Sequence, residues 1–378
     1  MRPIRVLVVD DSVVVRKLVS DALASDPGID VVGSAANGRI ALAKVTQVTP
    51  DILTMDIEMP EMNGLEALKE LRKTHPKLPV IMFSTLTERG ASATLDALAL
   101  GASDYVTKPS NVGSVAAAQQ RIRDELIPKI KALCGRQVGA APPTVVASGA
   151  PILPPSAMRP RLSVAPSVDR RVDVVAIGVS TGGPNALAAI LPMLPADFPV
   201  PIVIVQHMPP VFTKLLADRI RAESRLNVQE GVAAGVVERG RVWIAPGNFH
   251  MIVRRERGGV RLALNQEPPE NSCRPAVDPL FRSIAEVYGS NALGVILTGM
   301  GQDGLRGCGD LADRGAQIVV QDQASSVVWG MPGFVAQAGL AERVLPLAEI
   351  ADHIVRRSRA GRQPSMPDPS RFPPLTTR

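Results

Sequence analysis

The stretch DVVAIGVSTGGPNAL, residues 173–187, decides the fold of the second half of the chain. Its apolar run, Val174–Ile177, is short and uninterrupted, which favours a strand buried on both faces of a parallel sheet. Ser180 follows on a glycine-rich turn, and Pro184 stands where a helix can begin. The stretch therefore predicts a strand, a tight turn that presents a hydroxyl group, and a helix.

Three roles for Ser180 fit this turn. The letters GVSTG match the G-x-S-x-G pattern that exposes a nucleophilic serine between a strand and a helix. The glycines also suit a phosphate-binding loop, although neither established phosphate-loop pattern is complete here. The third role is a plain helix cap. The stretch alone leaves the three open.

The same alternation of strands and helices continues through residues 173–355. Buried parallel strands are predicted at Val174–Ile177, Ile202–Val205, Val295–Leu297 and Ile318–Val320. Helices are predicted at Asn185–Ile190, Val211–Glu223, Val277–Val287 and Gly304–Arg314. Residues 241–246, 250–255 and 260–264 resemble short antiparallel strands. The pattern predicts an α/β sheet with a β-hairpin insertion.

A nucleophilic serine needs a base and an acid that orients the base. Of the four histidines, His207 alone follows a predicted buried strand, and Asp303 follows another strand on a glycine-rich loop. Because parallel strands present their working residues at one edge, both side chains should lie near Ser180. Asp303 could instead cap the helix that follows it. The order Ser, His, Asp differs from that of the α/β-hydrolases.

The first 134 residues form five strand–helix units. Strands are predicted at Val6–Val9, Val31–Val32, Ile52–Met55, Val80–Phe83 and Tyr105–Val106. Helices are predicted at Val13–Ala24, Ile40–Val48, Leu65–Lys73, Ser92–Leu100 and Val115–Leu133. The repeat predicts a parallel sheet covered on both faces.

Polar residues stand at the carboxyl ends of these strands: Asp10, Asp11, Asp56, Ser84 and Lys108. Three carboxylates at one edge repel one another, and an all-oxygen cluster suits Mg²⁺. A single acid here could simply cap a helix. All five positions together favour a magnesium site over a set of helix caps.

The net charge of +6 does not indicate a nucleic-acid partner. Residues 1–134 are neutral and residues 173–355 carry −3, so the basicity lies in residues 135–172 and 356–378. These two segments are rich in proline and lack periodicity, which predicts a flexible linker and a disordered basic tail.

The sequence also disfavours a membrane protein and a disulfide-stabilised protein. The apolar runs are far shorter than the roughly 20 residues that a membrane span needs, and acids follow the first run, unlike in a signal peptide. The three cysteines are scattered and suggest neither a disulfide framework nor a zinc site. We expect a cytoplasmic protein.

Residues 1–134 resemble the receiver domain of two-component response regulators, on the acidic pair Asp10–Asp11, TMDIEMPEMNG around Asp56, Ser84 and DYVTKP. The resemblance implies a (βα)5, flavodoxin-like fold with Asp56 as the phosphoryl acceptor. It implies that Asp11, Asp56 and the Glu58 carbonyl hold Mg²⁺, with Asp10 nearby. Ser84 and Lys108 would contact the phosphoryl oxygens.

Residues 173–355 resemble the catalytic domain of the chemotaxis protein-glutamate methylesterases and glutamine deamidases. The matching stretches are GVSTGGP, QHMPPVFT, APGNFHM, RPAVDPLF and LTGMGQDG. The resemblance implies a Rossmann-like, doubly wound α/β domain with a Ser180–His207–Asp303 triad. It implies that Thr181 supports the site, that the Met300 N–H stabilises the oxyanion, and that the esterase reaction needs no cofactor.

The family resemblance also implies partners and regulation. The substrates would be methyl-accepting chemotaxis receptors, a chemotaxis histidine kinase would supply the phosphoryl group, and the unphosphorylated receiver would cover the active site. Two other classes compete with this interpretation. A DNA-binding response regulator would need a basic output domain, which residues 173–355 do not form. A receiver-controlled binding module on a degenerate catalytic fold would share the same motifs.

Overall fold

The computed structural model describes residues 2–108, 114–135 and 171–362, which form two parallel sheets flanked by helices. Most of the predicted linker (136–170) and the predicted tail beyond residue 362 lie outside the described residues. Within the first sheet, Val6 and Val8 enter one hydrophobic cluster, and Leu7 and Val9 enter another. Both faces of that sheet are therefore buried, as the uninterrupted apolar runs predicted.

The first sheet has five strands in the order β2-β1-β3-β4-β5, all parallel. The strands are β1 Ile4–Val9, β2 Ile29–Ala35, β3 Ile52–Asp56, β4 Val80–Ser84 and β5 Asp104–Thr107. The helices are α1 Val13–Ala24, α2 Gly38–Val48, α3 Gly64–Thr74, α4 Glu88–Ala99 and α5 Val115–Leu133. This order is that of the flavodoxin-like fold, and it confirms the predicted (βα)5 architecture.

The register of this sheet brings the acidic residues together. β1 pairs directly with β3, and Val9 lies opposite Met55. The residues that follow, Asp10 and Asp56, therefore leave adjacent strands at the same edge. Ser12 begins α1 as its N-cap by accepting a hydrogen bond from the Val15 N–H, so it is Ser12, rather than an acid, that caps this helix.

The second sheet has seven strands in the order β14-β13-β12-β6-β7-β9-β8. The strands are β6 Val174–Val179, β7 Ile202–Gln206, β8 Asn227–Glu230, β9 Arg241–Ile244, β12 Ala292–Ile296, β13 Gln317–Gln321 and β14 Arg343–Leu345. A separate hairpin consists of β10 His250–Glu256 and β11 Gly259–Asn265. The helices are α6 Gly183–Ile190, α7 Phe212–Glu223, α8 Val277–Tyr288, α9 Leu305–Asp313, α10 Met331–Gln337 and α11 Leu347–Arg359.

Strand β6 occupies the switch point of this doubly wound sheet. The chain leaves β6 to form β7 on one side and later returns to form β12 on the other. Ligand sites of open α/β sheets lie at such a point, outside the carboxyl ends of the strands. Ser180 follows β6, His207 follows β7, and Asp303 lies on the loop after β12.

One strand prediction is wrong in direction. Residues 241–246 were expected to be antiparallel, but β9 pairs parallel with both β7 and β8. Val242, Trp243 and Ile244 are all buried, and an uninterrupted buried run is typical of a parallel strand inside an α/β sheet. Only β10 and β11 form the antiparallel hairpin, in agreement with the predicted insertion.

The predicted tail begins too early. Residues 356–359 belong to α11, which continues to Arg359 because Ile354 and Ser358 are buried on its inner face. Arg356 and Arg359 stand in the last turn, where cations are favourable to the helix dipole. Arg362 then donates to the Val172 carbonyl at 2.7 Å, which ties this end of the chain to the start of β6.

The two sheets are joined through α4 and β5 of the first domain. α4 packs against α6 and α7. The rings of Tyr105 and Phe212 are stacked with their centroids 4.9 Å apart and their planes 4° from parallel. At the rim, Arg219 forms an ion pair of 2.8 Å with Asp96. This interface sets the first domain beside the carboxyl end of β6.

Candidate functional site

The carboxylates predicted at the edge of the first sheet do come together. Asp10, Asp11 and Asp56 each offer an oxygen within 4.8 Å of the others. Asp10 and Asp56 are buried, whereas Asp11 is exposed. Asp10 Oδ2 is a buried oxygen whose contact within the described residues is with a cation. Its one close cation there is Lys108, so the donor set fits a hard cation that prefers oxygen ligands.

Lys108 links two of these acids. Its Nζ atom lies 2.8 Å from Asp56 Oδ2 and 3.0 Å from Asp10 Oδ2. Burial raises the pKa of Asp56, and the hydrogen bond from Lys108 offsets part of that rise. Burial alone would lower the pKa of Lys108, but the hydrogen bonds and charges of Asp56 and Asp10 raise it. Lys108 is thus a firmly charged cation at the Asp56 carboxylate.

A cavity of about 250 Å³ opens beside Asp56, and Asp11, Glu58, Thr85 and Lys108 are among the residues that line it. The predicted phosphoryl contact Ser84 is not brought to this cavity. Its hydroxyl donates to the Gly90 carbonyl at 3.1 Å and accepts from Thr94 at 2.6 Å. Those contacts point it towards α4. No sequence pattern signals that orientation.

Ser180 lies on the tight turn between β6 and α6. Its N–H donates to the Thr298 carbonyl at 3.0 Å, and its own carbonyl accepts from the Gly183 N–H at 2.8 Å. Gly182 is the N-cap of α6, has a φ of +77°, and provides no side-chain cap. The Ser180 hydroxyl makes no hydrogen bond with any described residue. The helix-cap role is therefore excluded for Ser180 in this conformation.

His207 and Asp303 form a direct pair. His207 Nε2 lies 2.7 Å from Asp303 Oδ2. The register pairs Val179 with Gln206, so Ser180 and His207 follow neighbouring residues of adjacent strands. Parallel strands are about 4.8 Å apart, which keeps these two turns close together. The predicted serine, histidine and aspartate thus share one edge of the sheet.

Asp303 is held mainly by the start of α8, and its Oδ1 also accepts from the N–H of Gly304, the N-cap residue of α9, at 2.9 Å. Asp303 Oδ2 accepts from the Val277 N–H at 2.6 Å, and Oδ1 accepts from the Asp278 N–H at 3.1 Å. Asn271 Nδ2 also donates to Oδ1 at 2.9 Å. Burial would raise the pKa of Asp303, but the hydrogen bond and charge of His207 and these N–H groups lower it. The carboxylate is therefore kept ionised.

Cys273 is a neighbour of His207 that the sequence reasoning missed. Its Sγ lies 3.6 Å from His207 Nδ1, on the side of the ring away from Asp303. Burial would lower the pKa of His207, but Cys273 and the Asp303 carboxylate raise it above its ordinary value. A cysteine in a loop gives no sequence signal, because the contact depends on how residues 270–274 fold back.

The loop after β12 offers one candidate oxyanion donor. The Gly299 N–H donates to the Val328 carbonyl, and the Gly299 carbonyl accepts from Met331. The Met300 N–H makes no hydrogen bond within the part of the chain that the structure describes. Gly301, with a φ of +84°, then reverses the chain. A backbone donor without a partner is therefore present at the predicted position.

Thr181 faces the other domain instead of the His207–Asp303 pair. Its hydroxyl donates to Asp104 Oδ2 at 2.9 Å, and Lys129 Nζ lies 2.9 Å from the same oxygen. Asn185 Nδ2 donates to the Leu98 carbonyl at 2.7 Å nearby. The predicted supporting residue is thus part of the interface with the first domain.

Comparisons with known proteins match a family to each of the two domains. The family model described as response regulator receiver domain matches residues 6–120, and the one described as CheB methylesterase matches residues 175–354. A relative from Trichodesmium erythraeum, named protein-glutamate methylesterase/protein-glutamine glutaminase, is 53% identical over 357 residues, covering 94% of this chain and 99% of the relative. A relative of the same name from a Nocardioides species is 52% identical, covering 97% of this chain and 98% of its own length.

Among solved structures, the catalytic domain of Thermotoga maritima CheB methylesterase is 43% identical with a TM-score of 0.48, covering 49% of this chain and 97% of that domain. The fold and the family models define a two-domain response regulator, in which a receiver domain precedes an α/β output domain. The full-length relatives then identify it further: the chain belongs to the CheB methylesterase family.

Proposed function

We propose that this chain is a phosphorylation-activated protein-glutamate methylesterase and protein-glutamine glutaminase that acts on methyl-accepting chemotaxis receptors. The observation that carries the proposal is the His207–Asp303 pair at 2.7 Å beside the Ser180 turn. Relatives that carry this name align along almost the whole chain. The enzyme would thereby reset receptor modification during chemotactic adaptation.

In the proposed reaction Ser180 Oγ attacks the carbonyl carbon of a glutamate methyl ester. Asp303 accepts a hydrogen bond from Nε2–H of His207, which leaves Nδ1 as the basic nitrogen. Nδ1 would exchange its 3.6 Å contact with Cys273 Sγ for the Ser180 hydroxyl before it takes the proton. The protonated imidazole then gives this proton to the leaving methoxide, and methanol departs. Water attacks the glutamyl ester of Ser180 with the same base, which restores the serine and releases the carboxylate. For a glutamine the leaving group is ammonia.

The Met300 N–H would stabilise the oxyanion that forms in both attacks. A backbone donor aimed at developing charge is effective because it needs no reorganisation during the reaction. Its lack of a partner within the described residues supports this role. No cofactor is needed for these steps, because Ser180, His207 and Asp303 supply the nucleophile, the base and the orienting charge.

Regulation would begin at Asp56, the proposed phosphoryl acceptor. Asp11, Asp56 and the Glu58 carbonyl would hold Mg²⁺, with Asp10 nearby, and the bound ion would neutralise charge on the phosphoryl oxygens. Lys108 already contacts Asp56 and would follow the transferred group. Ser84 would have to turn away from Gly90 to reach it. The phosphodonor would be a chemotaxis histidine kinase.

The receiver would inhibit the esterase through the interface around Thr181. A docked receiver holds the residue directly after Ser180, so substrate access and the nucleophile turn depend on the same contact. Phosphorylation activates only if it disfavours the docked state relative to the open one. The docking contacts of α4 and β5 are the ones that such a shift would break.

The cytoplasm is the proposed location. Among residues 2–108, 114–135 and 171–362, no helix combines the length and the apolar character that a membrane span needs. The proposed substrates and kinase act in that compartment, and no step calls for a nucleic acid.

Methanol release from methylated receptor membranes tests the proposal, with and without a small-molecule phosphodonor and Mg²⁺. We expect donor-stimulated release that needs Ser180, with Ser180→Ala lowering turnover by about 10⁴-fold or more. Asp56→Ala should leave a weak release that the donor does not change. Ser290→Ala is a matched control, because Ser290 precedes β12 at the opposite edge of the sheet. Release that survives in Ser180→Ala would reject the triad.

A further inference from the structure

Gln206, the last residue of β7, connects the two turns of the proposed active site. It is only 2% exposed. Its Nε2 group donates to the Ser180 carbonyl at 3.0 Å and to the His207 carbonyl at 3.3 Å. One amide group therefore bridges the backbone of the proposed nucleophile and the backbone of the proposed base.

The orientation of this amide is fixed by its surroundings. Both neighbours of Nε2 are carbonyl oxygens, which accept hydrogen bonds and would repel the amide oxygen. Gln206 Oε1 faces Gly183 instead, where the Cβ atom of any larger residue would lie 1.9 Å from it. The glycine thus leaves the space that this orientation needs.

The position of the Gln206 side chain costs free energy of folding. Its Oε1 is buried and has no hydrogen-bond partner within the described residues. A buried acceptor without a partner is destabilising, and such exceptions in a folded protein call for an explanation. Strand pairing does not need this side chain, because the His207 N–H already bonds to the Val179 carbonyl at 3.2 Å. An apolar side chain could fill the same space without an unpaired oxygen.

We propose that Gln206 is a positioning residue that fixes the distance and orientation between Ser180 and His207. The inference rests on the proposed triad chemistry. Proton transfer and attack require these two side chains within a narrow range of geometry, and a misplacement of about 1 Å can lower the rate by roughly 10²-fold. Within the described residues, Gln206 makes no hydrogen bond with the side chain of Ser180 or of His207. It acts through the carbonyl groups of their turns.

The test compares Gln206→Met and Gln206→Asn with wild type in the full-length, donor-activated enzyme. Methionine has a similar length and cannot donate, and asparagine keeps the amide but reaches at most one of the two carbonyls. We expect kcat for methanol release to fall by about 10- to 100-fold in both variants, with KM within about twofold. The rate at which a fluorophosphonate reagent labels Ser180 should fall in parallel, because it reports the alignment of serine and histidine without the receptor.

Gln317→Met is the matched control. Gln317 is also a buried strand-end glutamine, but it lies at the amino end of β13, where its Oε1 accepts from Arg357. We expect wild-type kcat and labelling in this variant even if its melting temperature falls.

The outcomes separate the two proposals. Folded Gln206→Met or Gln206→Asn enzyme with wild-type kcat and labelling rate would overturn the positioning role while leaving the triad intact. Methanol release and labelling that persist in Ser180→Ala would remove the triad and the positioning role together. If Gln206→Met does not fold, the asparagine variant decides the question alone.

Discussion

The Thr181 hydroxyl donates a hydrogen bond of 2.9 Å to Asp104 Oδ2, across the boundary between the receiver and the catalytic domain. Thr181 directly follows Ser180, and Asp104 begins β5 of the receiver. Lys129 lies 2.9 Å from the same carboxylate oxygen and balances its charge. The contact makes the first residue of β5 a direct neighbour of the proposed nucleophile turn.

Loss of this contact should raise the activity of the unphosphorylated enzyme. Asp104→Ala removes a buried, charge-assisted acceptor worth about 1–3 kcal/mol, which shifts docking towards the open state by roughly 5- to 150-fold. We expect higher methanol release without phosphodonor. Asp96→Ala, at the exposed rim, should change the basal rate less than about fivefold, because surface ion pairs contribute little. Equal basal rates in Asp104→Ala and wild type would contradict the inhibitory contact.

The pH dependence of the esterase should reflect His207. Neutral imidazole is required to accept the Ser180 proton, and Cys273 and Asp303 raise the pKa of His207 against the opposing effect of burial. The acid limb of kcat/KM should therefore lie above the ordinary value of 6.5, with activity increasing as pH rises.

Cys273→Ala tests that assignment. Removing the sulfur 3.6 Å from Nδ1 should move the acid limb to lower pH. Cys134→Ser, in the receiver, is the matched control and should leave the profile unchanged. An acid limb that stays in place in Cys273→Ala would show that Asp303 alone sets the pKa of His207.

His207 and His353 should affect the stability of the folded protein with opposite pH slopes. His207, whose pKa is raised in the folded protein, contributes stability that is fully present below 6.5 and is lost as pH rises through the folded value. Burial and the charges of Arg356, Arg357 and Arg343 lower the pKa of His353 to about 4. Because the unfolded chain then binds this proton more readily, the free energy of unfolding decreases as pH falls below 6.5.

Melting temperatures of His207→Gln and His353→Gln between pH 5 and pH 8, about the ordinary histidine pKa, measure these slopes. Relative to wild type, His207→Gln should be most destabilised near the acid end. At the same acid end, His353→Gln should gain thermal stability relative to wild type. If the melting temperatures of the two variants changed with pH in the same way, His207 and His353 would not have opposite charge states in the folded protein.

Mg²⁺ affinity should depend on Asp10. Asp10 contributes a buried carboxylate oxygen to the cluster with Asp11 and Asp56, so Asp10→Asn should weaken Mg²⁺ binding by about 10-fold or more. Calorimetric titration of the full chain measures this. Asp51→Asn is the control, since Asp51 pairs with Arg2 at the opposite edge of the sheet. Unchanged affinity in Asp10→Asn would place the ion elsewhere.

The boundaries of an independent catalytic fragment should follow the structure, not the composition. Residues 171–362 include buried Val172 and the bonds from Arg362 to the Val172 carbonyl and to Asp173, whereas residues 173–355 cut both and shorten α11. We expect the longer fragment to melt at a higher temperature and to release methanol without phosphodonor. If the shorter fragment melted at the same temperature, these terminal contacts would be dispensable.

Both folds could be predicted from sequence because their apolar runs are strong local signals. The helices Val13–Ala24 and Val115–Leu133 begin and end where periodicity predicted. Short edge strands escaped prediction: in β14, Arg343 and Val344 are exposed and give little apolar signal. The direction of β9 was also wrong, because direction depends on its partners β7 and β8 rather than on its own residues.

Part of the candidate site could likewise be predicted from sequence, and part could not. Ser180, His207 and Asp303 could be placed at one edge because each follows a strand, and topology alone brings strand ends together. The Cys273 contact, the orientation of Ser84 and the partner of Thr181 depend on loop folding and domain docking. Those arise from long-range contacts that no local pattern encodes.

The stacked pair of Tyr105 and Phe212 gives the molecule an intrinsic optical reporter. The chain has only two tyrosines, and in the docked state burial together with Asp104 and Glu125 raises the pKa of Tyr105 well above its usual value. Separation of the rings would bring the Tyr105 phenol into contact with water. Its pKa would then return towards the ordinary tyrosine value. Ultraviolet difference spectra of the phenolate could therefore follow opening of the enzyme in solution without an attached label.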